Sequence, residues 1–327
     1  MKRFVESWRG SNPVLAPLLG LGLVALAAVL WGLSEKPDSP FLSGFRVALV
    51  LKQSAIVATG ALGMTLVIAA GGIDLAIGSL LALCSVVLAK ALQAGHSGVE
   101  ALLLAIGTGV AAGVVHGLLV TRGRLAPFIA TLGTMLLWRG AAEEVSAQKK
   151  LSAEAPSWLA SLLDPPDAGD LLPVATGVVL VLVAALAMAW MLARTVLGRR
   201  IYAIGSNEAA ARLCGVPIAA TKVLVYALMG FFAAAAGVLE FNNLNSQGNP
   251  SSGAGYELDV IAAVVLGGGS LSGGKGSIAG SLLGALLMTT LRSACVYAEV
   301  PDPLQKVLVG AIILVAVALD RWREGAR

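Results

Sequence analysis

The chain has 327 residues, of which 57% are hydrophobic and 13% charged, against roughly 45–50% and about 25% in a typical soluble domain. Long uncharged runs recur from end to end, which excludes a soluble fold with a polar shell and defines an all-α polytopic membrane protein. The net charge of +4 is spread over short loops and tails without interleaved aromatics, which excludes a nucleic-acid partner.

The N-terminus carries Lys2, Arg3 and Arg9, and Ala25-Leu26-Ala27 mimics a signal-peptidase site. Apolarity nevertheless runs unbroken from Val14 to Leu33, about 20 residues, which is spanning length. The segment reads as an uncleaved first helix. Further apolar segments follow near residues 45–69, 74–92, 99–121, 125–141, 173–193, 222–241, 257–268, 277–297 and 303–320, making about ten spans in one transmembrane domain over residues 1–327. The stretch from Glu257 to Gly268 is long enough for only about half a bilayer and predicts a partial helix ending in a glycine loop.

Loop charge sets the orientation, because Lys and Arg are retained on the cytoplasmic side. With the N-terminus inside, the inner loops and tails hold Lys2, Arg3, Arg9, Arg122, Arg124, Arg194, Arg199, Arg200, Arg212, Lys222, Lys275, Arg321, Arg323 and Arg327. Both termini are therefore expected in the cytoplasm. The outer loop from Ala142 to Leu172 is acidic and proline-rich, and Trp158 with Leu162 is expected to form an amphipathic turn at the interface. In the inner loop, about 194–222, the segment from Asn207 to Gly215 has a cap residue, strong helix formers and a terminating glycine, which predicts a two-turn helix.

Two stretches, GGIDLAIGSLLAL (Gly71 to Leu83) and GYELDVIAAVVLGGGSLSGGKGS (Gly255 to Ser277), place charge and clustered glycines inside apolar sequence. Irregular, charged backbone at membrane depth is tolerated only where protein or water replaces lipid, so both mark a transport pathway. Gly71, Gly72, Asp74, Glu257, Asp259, Gly268, Gly269 and Lys275 are the pathway or gate candidates they supply. Asp74 also reads as a cap on the start of the third span, and Glu257 and Asp259 as first-turn acids complementing a helix dipole. Thr131 and Thr134 either line a path or bond back to their own helix. Asn242 and Asn245, in the uncharged polar run from Asn242 to Gly253, suit a hydroxyl-rich solute or form an ordinary solvated loop. GSLLAL (Gly78 to Leu83) recurs as GSLLGALL (Gly280 to Leu287), a weak sign of duplicated halves.

Several signals are negative. GSLSGGK (Gly269 to Lys275) matches the first positions of a phosphate-binding loop, but Gly276 replaces the hydroxyl that would ligate magnesium, and a span rather than a soluble helix follows. ILVAVALD (Ile313 to Asp320) is the end of the last span rather than a Walker-B strand. Cys84, Cys214 and Cys295 have no metal-ligand spacing, and His116 in an apolar helix reads as a hydrogen-bonded core residue. No nucleophile and base pair is evident, so the chain reads as a non-enzyme with no metal and no cofactor of its own.

The two glycine-rich stretches, together with APFIATLGTMLLWRG (Ala126 to Gly140) and GRRIYAIGSNEAAARLCGV (Gly198 to Val216), resemble the ribose-type permeases of bacterial ABC importers, within the superfamily that also holds branched-chain amino-acid permeases. The resemblance covers nearly the whole chain. It implies a type II importer permease of the bacterial inner membrane, moving a monosaccharide such as ribose, xylose or galactose by alternating access. The implied partners are a second permease copy, cytosolic ATP-binding cassettes that hold the ATP and magnesium, and a periplasmic sugar-binding protein. Asn207, Glu208, Ala209, Ala210, Arg212 and Gly215 fall on the family's coupling segment. Nucleosides or branched-chain amino acids are the alternative cargo, and an ion-coupled carrier is the alternative mechanism.

Overall fold

The computed structural model describes residues 15–35, 41, 43–164 and 174–325. The basic residues at positions 2, 3, 9 and 327 and the acids at 167 and 170 lie outside them. Helices in chain order are α1 (Leu15–Glu35), α2 (Gly44–Ala69), α3 (Ile77–Gln93), α4 (Gly98–Thr121), α5 (Pro127–Val145), α6 (Ser157–Ala160), α7 (Thr176–Arg194), α8 (Val196–Ser206), α9 (Glu208–Leu213), α10 (Ile218–Asn243), α11 (Tyr256–Leu266), α12 (Ile278–Tyr297) and α13 (Asp302–Gly325). Each of the ten apolar segments carries one helix. Among the described residues, five stretches are by themselves long and apolar enough to cross a membrane: Arg46–Ala69, Gly98–Thr121, Thr176–Arg194, Ile218–Asn243 and Ile278–Tyr297. The remaining helices of the about ten expected spans do not meet this criterion by themselves, α3 and the eleven-residue α11 because they are short, α11 as expected for a partial helix.

The apolar surface is inverted relative to a soluble protein. Leu103, Leu136 and Leu186 are 65%, 68% and 72% exposed, on helices whose opposite faces pack inward, as expected where lipid is the solvent. At the centre, α2 is sealed over its last turns, with Leu62, Met64, Leu66, Val67 and Ile68 fully buried, and it packs against α10, α11 and α12. Helix α10 also packs along α4, where Gly109, Gly113 and Gly117 recur every fourth residue against Gly230, Tyr226 and Val223. A Cβ at Gly109, Gly113 or Gly230 would fall on backbone of the facing helix, so small residues set this crossing, as they commonly do in membranes.

The repeated GSLL motif has a physical counterpart. Gly78, in the first turn of α3, lies against the backbone of Gly253, and Gly280, in the first turn of α12, lies against the backbone of Gly267. Each helix starts where a second break in the bundle touches it.

At one end of the bundle, Leu151–Ser152 (β1) pairs antiparallel with Gln247–Gly248 (β2), a small addition to the expected all-α fold. The segment of the expected amphipathic turn forms the four-residue α6, with Leu159 and Leu163 buried and Trp158 45% exposed, and the Leu163 N–H just beyond it is held by Asn242 of α10.

Candidate functional site

The two glycine-rich stretches end their helices in the same way. After α2, the Gly71 and Gly72 N–H groups donate to the carbonyls of Ile68 and Val67, with Gly71 at φ +79°. After α11, Gly268 and Gly269 donate to Val265 and Val264, with Gly268 at φ +87°. Both are Schellman caps, in which the left-handed position favours glycine. Gly71, Gly72, Gly268 and Gly269 thus stop two helices, with Gly269 buried and Gly71 and Gly268 exposed.

The loops beyond these caps converge. The Gly274 N–H donates to the Ala69 carbonyl at 3.0 Å, the Tyr202 hydroxyl of α8 donates to the Gly276 carbonyl at 2.9 Å, and Gly205, Gly71 and Gly273 meet backbone to backbone. The glycines that imitate a phosphate-binding loop serve this close approach. Lys275 lies in the same loop.

Below this junction stands α9. The Asn207 side chain accepts the Ala210 N–H at 2.9 Å, and Gly215 closes the helix at φ +76° through bonds from Gly215 to Arg212 and from Val216 to Ala211. Glu208 turns back to the bundle and meets the ammonium of Lys222 on α10 at 2.6 Å and Arg212 at 2.9 Å. The Lys222 hydrogen bond, with Arg212 adding to it, holds the Glu208 carboxyl below its ordinary value. Ala209, Ala210 and Arg212 face outward and Leu213 is 90% exposed, while Ala211 is buried. Leu213 is thus an exposed leucine at the tip of a six-residue helix capped at both ends.

One turn beyond Lys222, Tyr226 is buried, and its hydroxyl has no hydrogen-bond partner among the described residues. A Cβ at Gly72 would lie 2.6 Å from that hydroxyl, so the ring occupies the space that Gly72 leaves. Its edge faces the His116 ring, 6.3 Å between centroids.

Asp74 is fully enclosed, and it does not cap the third span as the sequence suggested. Its Oδ1 accepts the Ala76 N–H at 2.8 Å, ahead of the first turn of α3, and its Oδ2 lies 2.9 Å from His116 Nδ1. Trp138 Nε1 donates to His116 Nε2 at 2.9 Å. An indole N–H can only donate, so Nε2 is the acceptor and Nδ1 carries the proton given to Asp74. The chain from Trp138 through His116 to Asp74 fixes the irregular backbone between α2 and α3 to α4 and α5. Thr131 bonds the Pro127 carbonyl at 3.0 Å and reaches the Ile73 carbonyl at 3.3 Å, while Thr134 bonds back to Ala130 at 3.0 Å.

A second polar group surrounds the start of α11. Asp259 is buried, with Arg292 Nη2 of α12 at 2.9 Å from Oδ1 and 2.8 Å from Oδ2. A Cβ at Gly78 would fall 2.8 Å from a Glu257 carboxylate oxygen. Arg139 of α5 donates to the carbonyls of Pro250 and Ser252, the latter at 2.8 Å. Glu240 is buried beside them and accepts from Asn243 and Ser252, both at 3.3 Å. Sequence reading missed Arg139, Trp138 as a donor, Glu240 and Arg292, since each partner lies far along the chain or on another helix. Asn242 and Asn245 are not part of this group. Asn242 accepts the Leu163 N–H at 2.8 Å and donates to the carbonyls of Leu159 and Ala160, pinning α6, and Asn245 is an exposed left-handed residue at the end of α10.

No solved structure matches this chain. The chain is 39% identical over 327 residues to the ribose import permease protein RbsC of Escherichia coli strain K12, covering 98% of this chain and 97% of that protein. It is 38% identical to RbsC of Bacillus subtilis strain 168, covering 95% and 93%, and 36% identical to the galactofuranose transporter permease protein YtfT of Escherichia coli, covering 84% and 79%. Residues 46–317 match the model of the branched-chain amino acid transport system / permease component family. Coverage of most of the chain by that model, and nearly end-to-end likeness to import permeases, establish that this protein belongs to that family of membrane permeases.

Proposed function

We propose that the chain is the membrane-spanning subunit of an ATP-driven importer for a monosaccharide, in a bacterial inner membrane with both termini in the cytoplasm. The single observation that carries the coupling is α9, a capped helix with Leu213 90% exposed and Glu208 tied to Lys222. Separate ATPase subunits, holding ATP and magnesium, receive this helix. Their closure moves α9, and the Glu208–Lys222 pair passes the movement to α10. Tyr226, one turn on, bears on Gly72 and on the break between α2 and α3, so the helix ends at Gly71 and Gly268 shift as one body. The opposite end, braced by Asn242 and Arg139, receives a sugar-binding protein, and a second copy of the chain completes the path.

The family description names branched-chain amino acids and one relative at 36% identity is named for autoinducer 2, but the ribose and galactofuranose permeases at 36–39% identity carry sugar names, and a sugar is therefore the cargo proposed. Residues of this chain act by moving, and no bond is made or broken on them. The test is the double variant Glu208→Arg with Ala209→Asp. It is expected to fold and reach the membrane yet lose co-purification with the ATPase. Normal co-purification would sink the assignment of α9.

A further inference from the structure

We infer that Arg292, held by Asp259, lines the aqueous solute path at mid-membrane and offers its free donors to a neutral, hydroxyl-rich solute. The depth follows from the packing. Gly267 and Gly280 meet backbone to backbone, fixing the end of α11 beside the start of α12. At 1.5 Å per residue, Asp259 then stands about 15 Å from the start of a helix α12 that is about 30 Å long. Arg292 is attached farther toward the other end, at about 21 Å. Helical side chains lean toward the N-terminus of their helix, so its guanidinium reaches back to the bilayer centre to meet Asp259. This is the reverse of snorkelling, which carries a membrane arginine outward to the headgroups.

The Arg292 side chain is nonetheless 44% exposed, against 2% for Asp259. A half-exposed guanidinium at that depth is costly against hydrocarbon and is found where water or protein replaces lipid. The pair leaves capacity unused. Nη2 alone is shared between both Asp259 oxygens, so Nη1 and Nε carry N–H donors with no partner among the described residues. A guanidinium neutralised by its own carboxylate offers donors without net charge, and hydroxyl oxygens are the acceptors it suits. Val296, one turn away on the same face of α12, is 63% exposed, and the inference puts it on the same wall as Arg292.

The assignment deepens the transport reading and rests on it for the identity of the solute. It is tested in the assembled importer, with ATPase subunits, in sealed vesicles, after Cys84, Cys214 and Cys295 are replaced by alanine. In Arg292→Cys, a charged, membrane-impermeant methanethiosulfonate is expected to label the introduced thiol. In Val296→Cys, where the ion pair is intact, the same bulky adduct is expected to lower uptake of D-ribose, with D-galactose and D-fructose run in parallel, by at least about tenfold by narrowing the path. Labelling of the Arg292→Cys thiol only after detergent solubilisation, a disulfide joining two copies of that variant through the introduced thiols, or uptake unchanged by the Val296→Cys adduct would overturn the inference. If Arg292→Cys does not assemble, Val296→Cys decides alone. Absence of uptake by the unmodified importer would instead count against the transport reading, and labelling of the Arg292→Cys thiol would still decide where the residue faces.

Discussion

Replacing Asp74 with asparagine exposes how tightly the break between α2 and α3 is specified. The carboxylate accepts from Ala76 at 2.8 Å and from His116 at 2.9 Å, and His116 in turn accepts from Trp138. Asparagine keeps one acceptor for Ala76 but turns an amide donor toward the proton on His116 Nδ1. His116 can relieve that conflict only by moving its proton to Nε2, where it meets the Trp138 donor. Loss of a charge-assisted bond and creation of a buried donor-on-donor contact together cost about 2–4 kcal/mol. Removing the indole should restore freedom to the ring. In Asp74→Asn with Trp138→Phe, His116 accepts at Nδ1, so the double variant should be about 1–2 kcal/mol more stable than the sum of the single losses. The assay is a double-mutant cycle of unfolding in mixed micelles. Strict additivity would refute the proton arrangement assigned to this chain of bonds.

Three further outcomes follow from the same geometry. Tyr226→Phe removes a buried hydroxyl that has no partner among the described residues, so stability should hold or rise by up to about 1 kcal/mol; it should also soften the effect of Gly72→Ala, read as melting temperature of both variants. Asn242→Asp keeps the acceptor for Leu163 but loses the donors to Leu159 and Ala160, so limited proteolysis should cut near residues 157–163 at least about tenfold faster, equivalent to about 1.4 kcal/mol of local opening. For Glu208, the Lys222 hydrogen bond lowers the folded pKa from an ordinary 4.5, so its contribution is present above that value and lost as pH falls through the folded pKa. The stability gap between wild type and Glu208→Gln should therefore be flat from about pH 6 to 8 and close in acid, and a gap that instead grows in acid would contradict the pairing.

The parts of this structure legible in sequence are those with local causes. Asn207, the alanines and Gly215 define α9 within nine residues, and the glycine pairs at 71–72 and 268–269 announce helix ends because a Schellman cap is read from adjacent positions. What lay hidden depends on helices meeting across the bundle. Asp74 looked like a cap since its neighbours in sequence are helix N–H groups, whereas its partner His116 is on α4 and the next donor, Trp138, on α5. Asp259 likewise read as a first-turn acid complementing its own helix, and Arg292 reaches it from α12. Asn242 suggested a solute contact by its amide, but the same amide satisfies three backbone groups of a loop about 80 residues distant. Short-range chemistry is written in neighbouring letters; a buried polar pair between helices leaves only one unexplained residue on each.

The most direct test of the transport claim is ATPase activity of the permease reconstituted with its cassette subunits and binding protein, screened against ribose, xylose, galactose, nucleosides and leucine. Stimulation by a binding protein loaded with one monosaccharide is the predicted result. Stimulation by leucine alone, or uptake driven by an ion gradient with no ATPase present, would contradict it.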